Sequence, residues 1–315
     1  MTQDGPVSTA KASYALLDVG DARRLERFGD IVLDRPAPGA DGHVAQDPGG
    51  WASADARFDR AERGAVAHEG WTTRDGQPVE PWQVEDGELC FELRLAPSGQ
   101  VGLFPEQHAA RIWIGRQAAR IAQAGAPAPD GGARAAGFNG PGAILNLFAY
   151  TGAATISAAR SGVAVTHVDS SRPAVAWARH NAALNDLAGA PIRWISDDAA
   201  AFVERELRRG RRYAGIVLDP PSYGHGASGR AWRLPADLPA LLAGCAELLD
   251  DGPAFILLSA HTPGFGPDRL GEALLEALEP VVGPGAGASI EVADQSLLSD
   301  AGTRLHLGSM ARWAR

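Results

Sequence analysis

From residue 143 onward, short apolar runs alternate with longer helical segments. The runs predict strands at 143–148, 164–169, 192–196, 214–219 and 254–260. The segments between them predict helices at 153–161, 172–186, 198–209 and 236–249, with a further helix near 267–278. Two strand-like runs at 288–298 and 304–313 then predict a terminal hairpin. Strands that alternate with helices form a parallel sheet, so the predicted fold class is α/β.

Residues 1–100 have a different pattern, in which short strands are separated by Gly, Pro and Asp turns. The predicted strands lie at 14–20, 30–36, 51–59, 65–73 and 89–96. Trp51, Trp71 and Trp82 are expected in the core of this small, mostly β domain, stacking on bases being the alternative. Residues 101–142 predict a helix at 105–123 and a Pro/Gly-rich linker, and 143–315 form the α/β domain.

Composition restricts the class of protein. The 315 residues are 45% hydrophobic, and the apolar runs are too short for a membrane span. The N-terminus has no basic-then-apolar pattern, so we expect no signal peptide and a cytoplasmic protein. Two cysteines, Cys90 and Cys245, cannot build a disulfide framework or a Cys-built metal site. The eight histidines form no close-spaced set with acidic partners, so no metal is expected.

The net charge of −9 is unusual for a protein that binds RNA, because Lys and Arg contacts to phosphate supply most non-specific affinity. Segment 204–213 nevertheless contains five arginines. A solvated helix C-terminus, where arginine favours the negative end of the dipole, is one interpretation and RNA contact is the other. A second basic segment with Arg230, Trp232 and Arg233 is a candidate for substrate contact.

The first two strands of the α/β domain predict a cofactor site. The turn after the first strand contains one glycine, Gly152, and Asp169 ends the second strand 17 positions later. That spacing suits a carboxylate that binds a ribose diol. A dinucleotide site uses three glycines to admit a pyrophosphate, so one glycine favours a cofactor with adenosine and no phosphate, namely S-adenosyl-L-methionine. A plain turn glycine and a helix-capping aspartate are the alternatives.

Five motifs together carry a resemblance to a known family. They are GLFPEQHAAR (102–111), NLFAYTG (146–152), VDSS (168–171), SDDAAAFV (196–203) and LDPPSY (218–223). In this order they resemble the class I S-adenosylmethionine-dependent methyltransferases of bacterial 23S ribosomal RNA, in the branch whose larger members carry a PUA domain and make 5-methylcytosine or 7-methylguanine. The resemblance covers roughly residues 100–315 and no PUA domain. It implies a Rossmann-like sheet of seven strands, the last antiparallel, and ribosomal RNA as the partner.

The resemblance also implies a set of cofactor-binding residues. Arg111 would approach the cofactor carboxylate, although His108 and Ala110 depart from the family's usual Arg and Asn. Asp197 or Asp198 would bind the adenine amino group, with Asp198 preferred and helix capping as the alternative for each. The expected cofactor-binding residues are Gln107, Arg111, Phe148, Ala149, Tyr150, Thr151, Gly152, Asp169, Ser170, Asp197, Asp198 and Asp219.

The LDPPSY motif predicts the reaction centre. In methyltransferases of exocyclic amines, a short Asn/Asp-Pro-Pro-aromatic run accepts the amine hydrogens while the aromatic ring stacks on the base. Here Ser222 stands before the aromatic residue. The expected catalytic residues are Asp219, Pro220, Pro221 and Tyr223. A target inside structured RNA would first have to be extruded.

Methylation of cytosine C5 requires a cysteine nucleophile, which relatives place just after the fifth strand. This chain has Ser259-Ala260-His261 there, and Cys90 and Cys245 read as buried apolar residues. A base nitrogen is therefore the expected acceptor, with His261 as a candidate substrate contact.

Other classes of function stay open at this stage. They are a methyltransferase for a protein or small molecule, a non-catalytic RNA- or cofactor-binding assembly factor, and, more remotely, a nicotinamide dehydrogenase.

Overall fold

The computed structural model describes residues 13–59, 70–125, 142–225 and 231–315. Most of the predicted linker, the start of the predicted strand 65–73, and Arg230 lie outside the described residues. The chain divides into two compact units, Met1–Pro105 with Leu297–Leu305 and Glu106–Ser296 with His306–Arg315. The predicted domain boundaries at 100 and 142 stay predictions.

The first unit is mostly β, as the sequence predicted. Its strands are β1 (Tyr14–Gly20), β2 (Arg23–Phe28), β3 (Ile31–Pro36), β4 (Ala56–Asp59), β5 (Gly70–Thr73), β6 (Trp82–Asp86) and β7 (Leu89–Leu93). β1 to β5 form one sheet in chain order, and β6 pairs with β7. A 3-10 helix (Pro38–Ala40) and helix α1 (Pro48–Ala52) lie between β3 and β4.

Several details of this unit differ from the prediction. The predicted strand 51–59 begins only at Ala56, because Pro48 and the side-chain cap of Asp47 start a short helix ahead of it. β2 and β6 were not predicted. Trp51, Trp71 and Trp82 lie half-buried, and each indole N–H donates a hydrogen bond inside this unit, at 2.7–2.9 Å.

The second unit is the α/β domain. Its main strands are β8 (Ile144–Leu147), β9 (Val165–Asp169), β10 (Ile192–Ser196), β11 (Gly215–Leu218), β14 (Phe255–Ala260), β15 (Ile290–Leu298) and β16 (Arg304–Ala314); β12 (Tyr223–His225) and β13 (Ala231–Arg233) form a small hairpin. The helices are α2 (His108–Ala124), α3 (Ala153–Ala159), α4 (Arg172–Leu184), α5 (Ala199–Arg208), α6 (Leu234–Glu247) and α7 (Pro267–Val282), with 3-10 turns at Pro105–Gln107 and Ala286–Ser289.

The sheet has the order β10-β9-β8-β11-β14-β16-β15, with β16 antiparallel to β14. This confirms the predicted Rossmann-like sheet of seven strands. Every residue of β8, β11 and β14 is buried, which is why these strands read as continuous apolar runs. The strand order reverses between β8 and β11, and ligands of such sheets bind at the carboxyl ends of the strands near that reversal. No helix among the described residues is long and apolar enough to cross a bilayer.

Candidate active site

The carboxyl ends of five parallel strands carry most of the predicted site residues. Phe148 follows β8, Asp169 ends β9, Asp197 follows β10, Asp219 follows β11 and His261 follows β14. Because these ends share one edge of the sheet, residues more than 100 positions apart along the chain come together.

The turn after β8 has an unusual backbone. Phe148 (φ 54°) and Tyr150 (φ 48°) adopt the left-handed conformation, which costs a residue with a side chain about 1–2 kcal/mol. Gly152 (φ 86°) is the N-cap of α3, and a Cβ there would lie 2.9 Å from the Cβ of Ala178 on α4. Glycine is therefore required at 152 for the turn and for the packing of α4, whatever the turn binds.

Hydrogen bonds hold this turn in place. The backbone N–H of Ala149 donates to the end of β9 at 3.1 Å, and that of Tyr150 donates to Asp169 Oδ2 at 2.8 Å. The buried Asn181 donates from its side chain to the backbone oxygen of Thr151 at 3.0 Å. Such over-determination is typical of strained segments at functional sites.

Asp169 accepts one backbone hydrogen bond on each carboxylate oxygen, from Tyr150 at 2.8 Å and from Ser171 at 2.8 Å. A carboxylate offers about four acceptor positions, so two remain for the hydroxyls of a ribose. Burial raises the pKa of this carboxyl despite the two hydrogen bonds. Ser171, and not Asp169, caps α4. The capping alternative for Asp169 is therefore wrong.

A small cavity, partly open to solvent, lies beside this carboxylate. Its lining includes Phe148, Val168, Asp169, Ser170, Asp197, Asp198, Ala199, Ala200, Pro221, Gly224 and Trp232. Five predicted cofactor residues thus line one cavity. Its carboxylates, apolar walls and aromatic rings suit an adenosine group, so the residues present fit the expected cofactor.

Asp197 and Asp198 both line the cavity but have different partners. Asp197 Oδ2 is paired with Arg205. Asp198 caps α5, since its Oδ1 accepts from the backbone of Ala201 at 2.9 Å. Capping uses only one oxygen of Asp198, so the cap and a contact to adenine are compatible. The choice between the two aspartates stays a prediction.

Trp232, predicted as a substrate contact, lies in the wall of the same cavity. Its ring centroid is 5.3 Å from that of Phe148, and its indole N–H donates to the backbone oxygen of Pro221 at 2.7 Å. This bond joins the β12–β13 hairpin to the Pro-Pro segment. Arg233 is exposed, and its backbone N–H donates to Asp237.

A second cluster surrounds Asp219. Asp219 Oδ2 accepts from Gln107 Nε2 at 2.8 Å, and Oδ1 accepts from Ser259 Oγ at 2.6 Å. His261 Nε2 lies 3.4 Å from Oδ1. Burial opposes the charge on Asp219, but His261, Ser259 and Gln107 outweigh burial and hold the pKa of the carboxyl below its usual value. Gln107, predicted to contact the cofactor, therefore belongs to the cluster at Asp219.

The remaining predicted residues lie in different surroundings. Pro220 is buried and Pro221 exposed, and Tyr223 is 56% exposed. Arg111 is buried on α2. Cys245 is fully buried in α6, where burial raises the pKa of its thiol.

Sequence reasoning missed two members of the second cluster, Ser259 and Glu106. Ser259 belongs to the Ser259-Ala260-His261 segment, which the sequence analysis used only to note that it has no cysteine. A polar residue near the end of the apolar strand β14 could have indicated a site residue. Glu106 Oε2 is buried and has no hydrogen-bond partner within the described ranges. No group of three or more His, Cys, Asp or Glu side chains in those ranges is placed to hold a metal ion.

Comparison with known proteins places this architecture in a family. No family model matches the chain. A solved S-adenosylmethionine-dependent methyltransferase from Agrobacterium tumefaciens superposes with a TM-score of 0.80 and 30% identity, over 99% of this chain and 97% of that one.

Two curated relatives are ribosomal RNA large subunit methyltransferases K/L. That of Syntrophotalea carbinolica is 33% identical over 145 residues, 46% of this chain, and that of Shewanella sp. (strain MR-4) is 40% identical over 82 residues, 25% of this chain. The matches span only 17% and 12% of those longer proteins. The near-complete match to the Agrobacterium structure decides the family. The chain belongs to the S-adenosylmethionine-dependent methyltransferases, with S-adenosylmethionine as its cofactor.

Proposed function

We propose that this methyltransferase modifies a base nitrogen of ribosomal RNA. The observation that carries the proposal is the position of Asp219. Its carboxylate is held at the carboxyl end of β11 beside two prolines, and Pro221 lines the cavity that contains Asp169. The names of the curated relatives support ribosomal RNA as the acceptor.

The cavity residues around Asp169 and the cluster around Asp219 would have different roles. Asp169, Asp198, Phe148 and Trp232 would hold the adenosine part of the cofactor, and the first backbone N–H groups of α3 would face its carboxylate. Bound S-adenosylmethionine supplies an electrophilic methyl group. The chain itself supplies orientation, which is the main requirement for transfer to a nucleophile that is already neutral.

Asp219 has limited capacity for the acceptor. Gln107 occupies one position on Oδ2, and Ser259 and His261 face Oδ1. Of about four acceptor positions, one on Oδ2 remains. It would accept one N–H of the target base and turn the nitrogen lone pair toward the methyl group. The exposed Tyr223 would stack on the base, a contact worth about 1–3 kcal/mol in single-stranded recognition.

Methylation of a protein or small molecule is the second candidate, and the net charge of −9 favours it. Two of the five arginines in segment 204–213 are paired within the protein, Arg205 with Asp197 and Arg209 with Glu206, which weakens the interpretation of that segment as an RNA contact.

The test is transfer of a labelled methyl group from S-adenosylmethionine to purified ribosomal RNA, ribosomal protein and a metabolite extract in parallel. Nucleoside mass spectrometry should then find a new N-methylated base in the RNA. Asp219→Asn should lower kcat about 100-fold with little change in cofactor affinity, and Asp251→Asn, an exposed carboxylate between α6 and β14, is the control. Label that enters only protein or metabolites would refute RNA as the acceptor.

A further inference from the structure

His261 has acceptors near both ring nitrogens. Nδ1 lies 2.8 Å from the backbone oxygen of Leu307 on β16, and Nε2 lies 3.4 Å from Asp219 Oδ1. A neutral imidazole carries one hydrogen and can donate to only one of these oxygens, whereas the imidazolium donates to both. The amide of Gln107 has two hydrogens: one donates to Asp219 Oδ2 at 2.8 Å, and the nitrogen is also 3.3 Å from His261 Nε2, so the charges that face the ring decide whether that ring nitrogen is protonated.

The charges that face the ring also favour the protonated form. Asp219 approaches it from β11, and Glu106 acts on it from the 3-10 turn ahead of α2. A carboxylate oxygen that is buried without a hydrogen bond, as Glu106 Oε2 is in the described structure, is costly unless a cation compensates it. Burial of the ring opposes its charge, but Asp219 and then Glu106 outweigh burial and raise the pKa of His261 to about 9.

Gly308 on β16 makes room for this arrangement. A Cβ at 308 would lie 2.7 Å from His261 Nδ1 and 2.8 Å from the backbone oxygen of Ala260. Its backbone does not require glycine, because Gly308 has no positive φ. The close approach of the ring to β16 therefore accounts for the glycine.

We propose that His261 is a positioning residue, protonated at neutral pH and packed against Gly308, that fixes the Asp219 carboxylate, and that it is not the base of the reaction. The proposal rests on the proposed function, since it assigns Asp219 its role there. With both N–H groups committed, His261 has no free lone pair to remove a proton. The acceptor must then attack as a neutral nucleophile, which fits an amine or ring nitrogen and disfavours a hydroxyl group.

The first experiment titrates the full chain by nitrogen-15 NMR of its imidazoles and needs no acceptor. His261→Gln identifies the resonance by its loss. We expect a ring that stays protonated from pH 5 to 8 and titrates near pH 9. A ring that titrates at or below about pH 6.5, the ordinary value for histidine, would overturn the proposal whatever the acceptor turns out to be.

The second experiment measures kcat against pH with the acceptor found above. A positioning imidazolium predicts a plateau from about pH 6 to 8.5 and a fall above pH 9, whereas a base predicts a rise toward pH 9. His261→Ala should lower kcat about 100-fold, and His261→Gln, which keeps one donor, about tenfold, with cofactor Kd within threefold in both. His306→Gln, an exposed histidine on β16, is the matched control.

Gly308→Ala tests the packing of the imidazole ring against β16 without changing the ring itself. It should displace His261, lower kcat at least tenfold and shift the imidazole titration, whereas Gly252→Ala, which meets no atom within 4 Å, should do neither. Full activity in His261→Ala, with RNA methylation intact in the wild type, would refute the positioning role and leave the proposed function standing. Absence of any methylation with a protonated His261 would refute the proposed function alone.

Discussion

Asp169→Ala tests how the chain holds its cofactor. In the structure each oxygen of Asp169 has one backbone donor, which leaves two acceptor positions for the ribose hydroxyls. A hydrogen bond to a charged group contributes about 1.5–3 kcal/mol, and two such bonds on one carboxylate are not fully additive. We therefore expect a loss of about 2–4 kcal/mol, or a Kd for S-adenosylmethionine about 30- to 1,000-fold weaker.

The same substitution also removes the acceptor of the backbone N–H groups of Tyr150 and Ser171, so the measured loss of affinity includes any destabilisation of the turn. Asp169→Asn distinguishes the two contributions, because it keeps the shape and one acceptor oxygen but turns an amide group toward a backbone N–H. We expect its affinity to lie between that of the wild type and Asp169→Ala. Titration calorimetry with cofactor and thermal unfolding without it measure the two effects separately.

Asp251→Ala, which removes an exposed carboxylate, is the control and should bind like the wild type. A value for Asp169→Ala within threefold of the wild type, with an unchanged unfolding temperature, would refute the reasoning. The ribose would then be bound by other groups, and the βαβ spacing read from the sequence would have no functional meaning.

Four further outcomes follow from the structure. Gly152→Ala should lower the unfolding temperature more than Gly162→Ala, since both have positive φ (86° and 83°) but only Gly152 contacts α4; equal losses would show that the contact is unimportant. Trp232→Ala should raise the Kd for the cofactor about tenfold, as measured by calorimetry. An effect on acceptor binding alone would show that Trp232 contacts the substrate and not the cofactor. Cys245→Ala should methylate within twofold of the wild type and form no covalent adduct with 5-fluorocytosine RNA. Denaturant unfolding at pH 6 to 10 should show that the stability from His261, whose pKa is raised from 6.5 to about 9, is present below pH 6.5 and lost as the pH rises through 9, and His261→Gln should remove this dependence.

The fold was predictable where burial and hydrophobicity agree. β8, β11 and β14 are buried on both faces and contain almost only apolar residues, so their positions were clear. β2 was missed for the opposite reason. Its Glu26 is fully buried and forms ion pairs with the buried Arg24 and Arg35, at 3.1 and 2.6 Å. A buried charge has the same sequence signature as an exposed one, and only a partner from another strand, here Arg35 on β3, shows that it is buried.

The site was predictable where its residues are close together in the sequence. Asp169 and the turn at Gly152 belong to one βαβ unit, so their relation is local. Asp219 was found from its neighbours in sequence, but its partners were not, because Gln107 is 112 residues away and Ser259 is 40. Trp232 reaches the cavity through a hairpin of two three-residue strands, which are too short to show a strand pattern.

The partners of Asp219 change what its substitution can show. Its two oxygens already face Gln107, Ser259 and His261, so removing the carboxylate disrupts a buried network as well as any contact to the acceptor. A slow Asp219→Ala enzyme would therefore fit either role. Substitutions at His261 can distinguish them because they leave the carboxylate in place. If methyl transfer depends on the orientation of Asp219, losing the imidazolium must lower kcat while the Kd for the cofactor stays unchanged. If the carboxylate only supports the fold, kcat and cofactor affinity should change together or not at all.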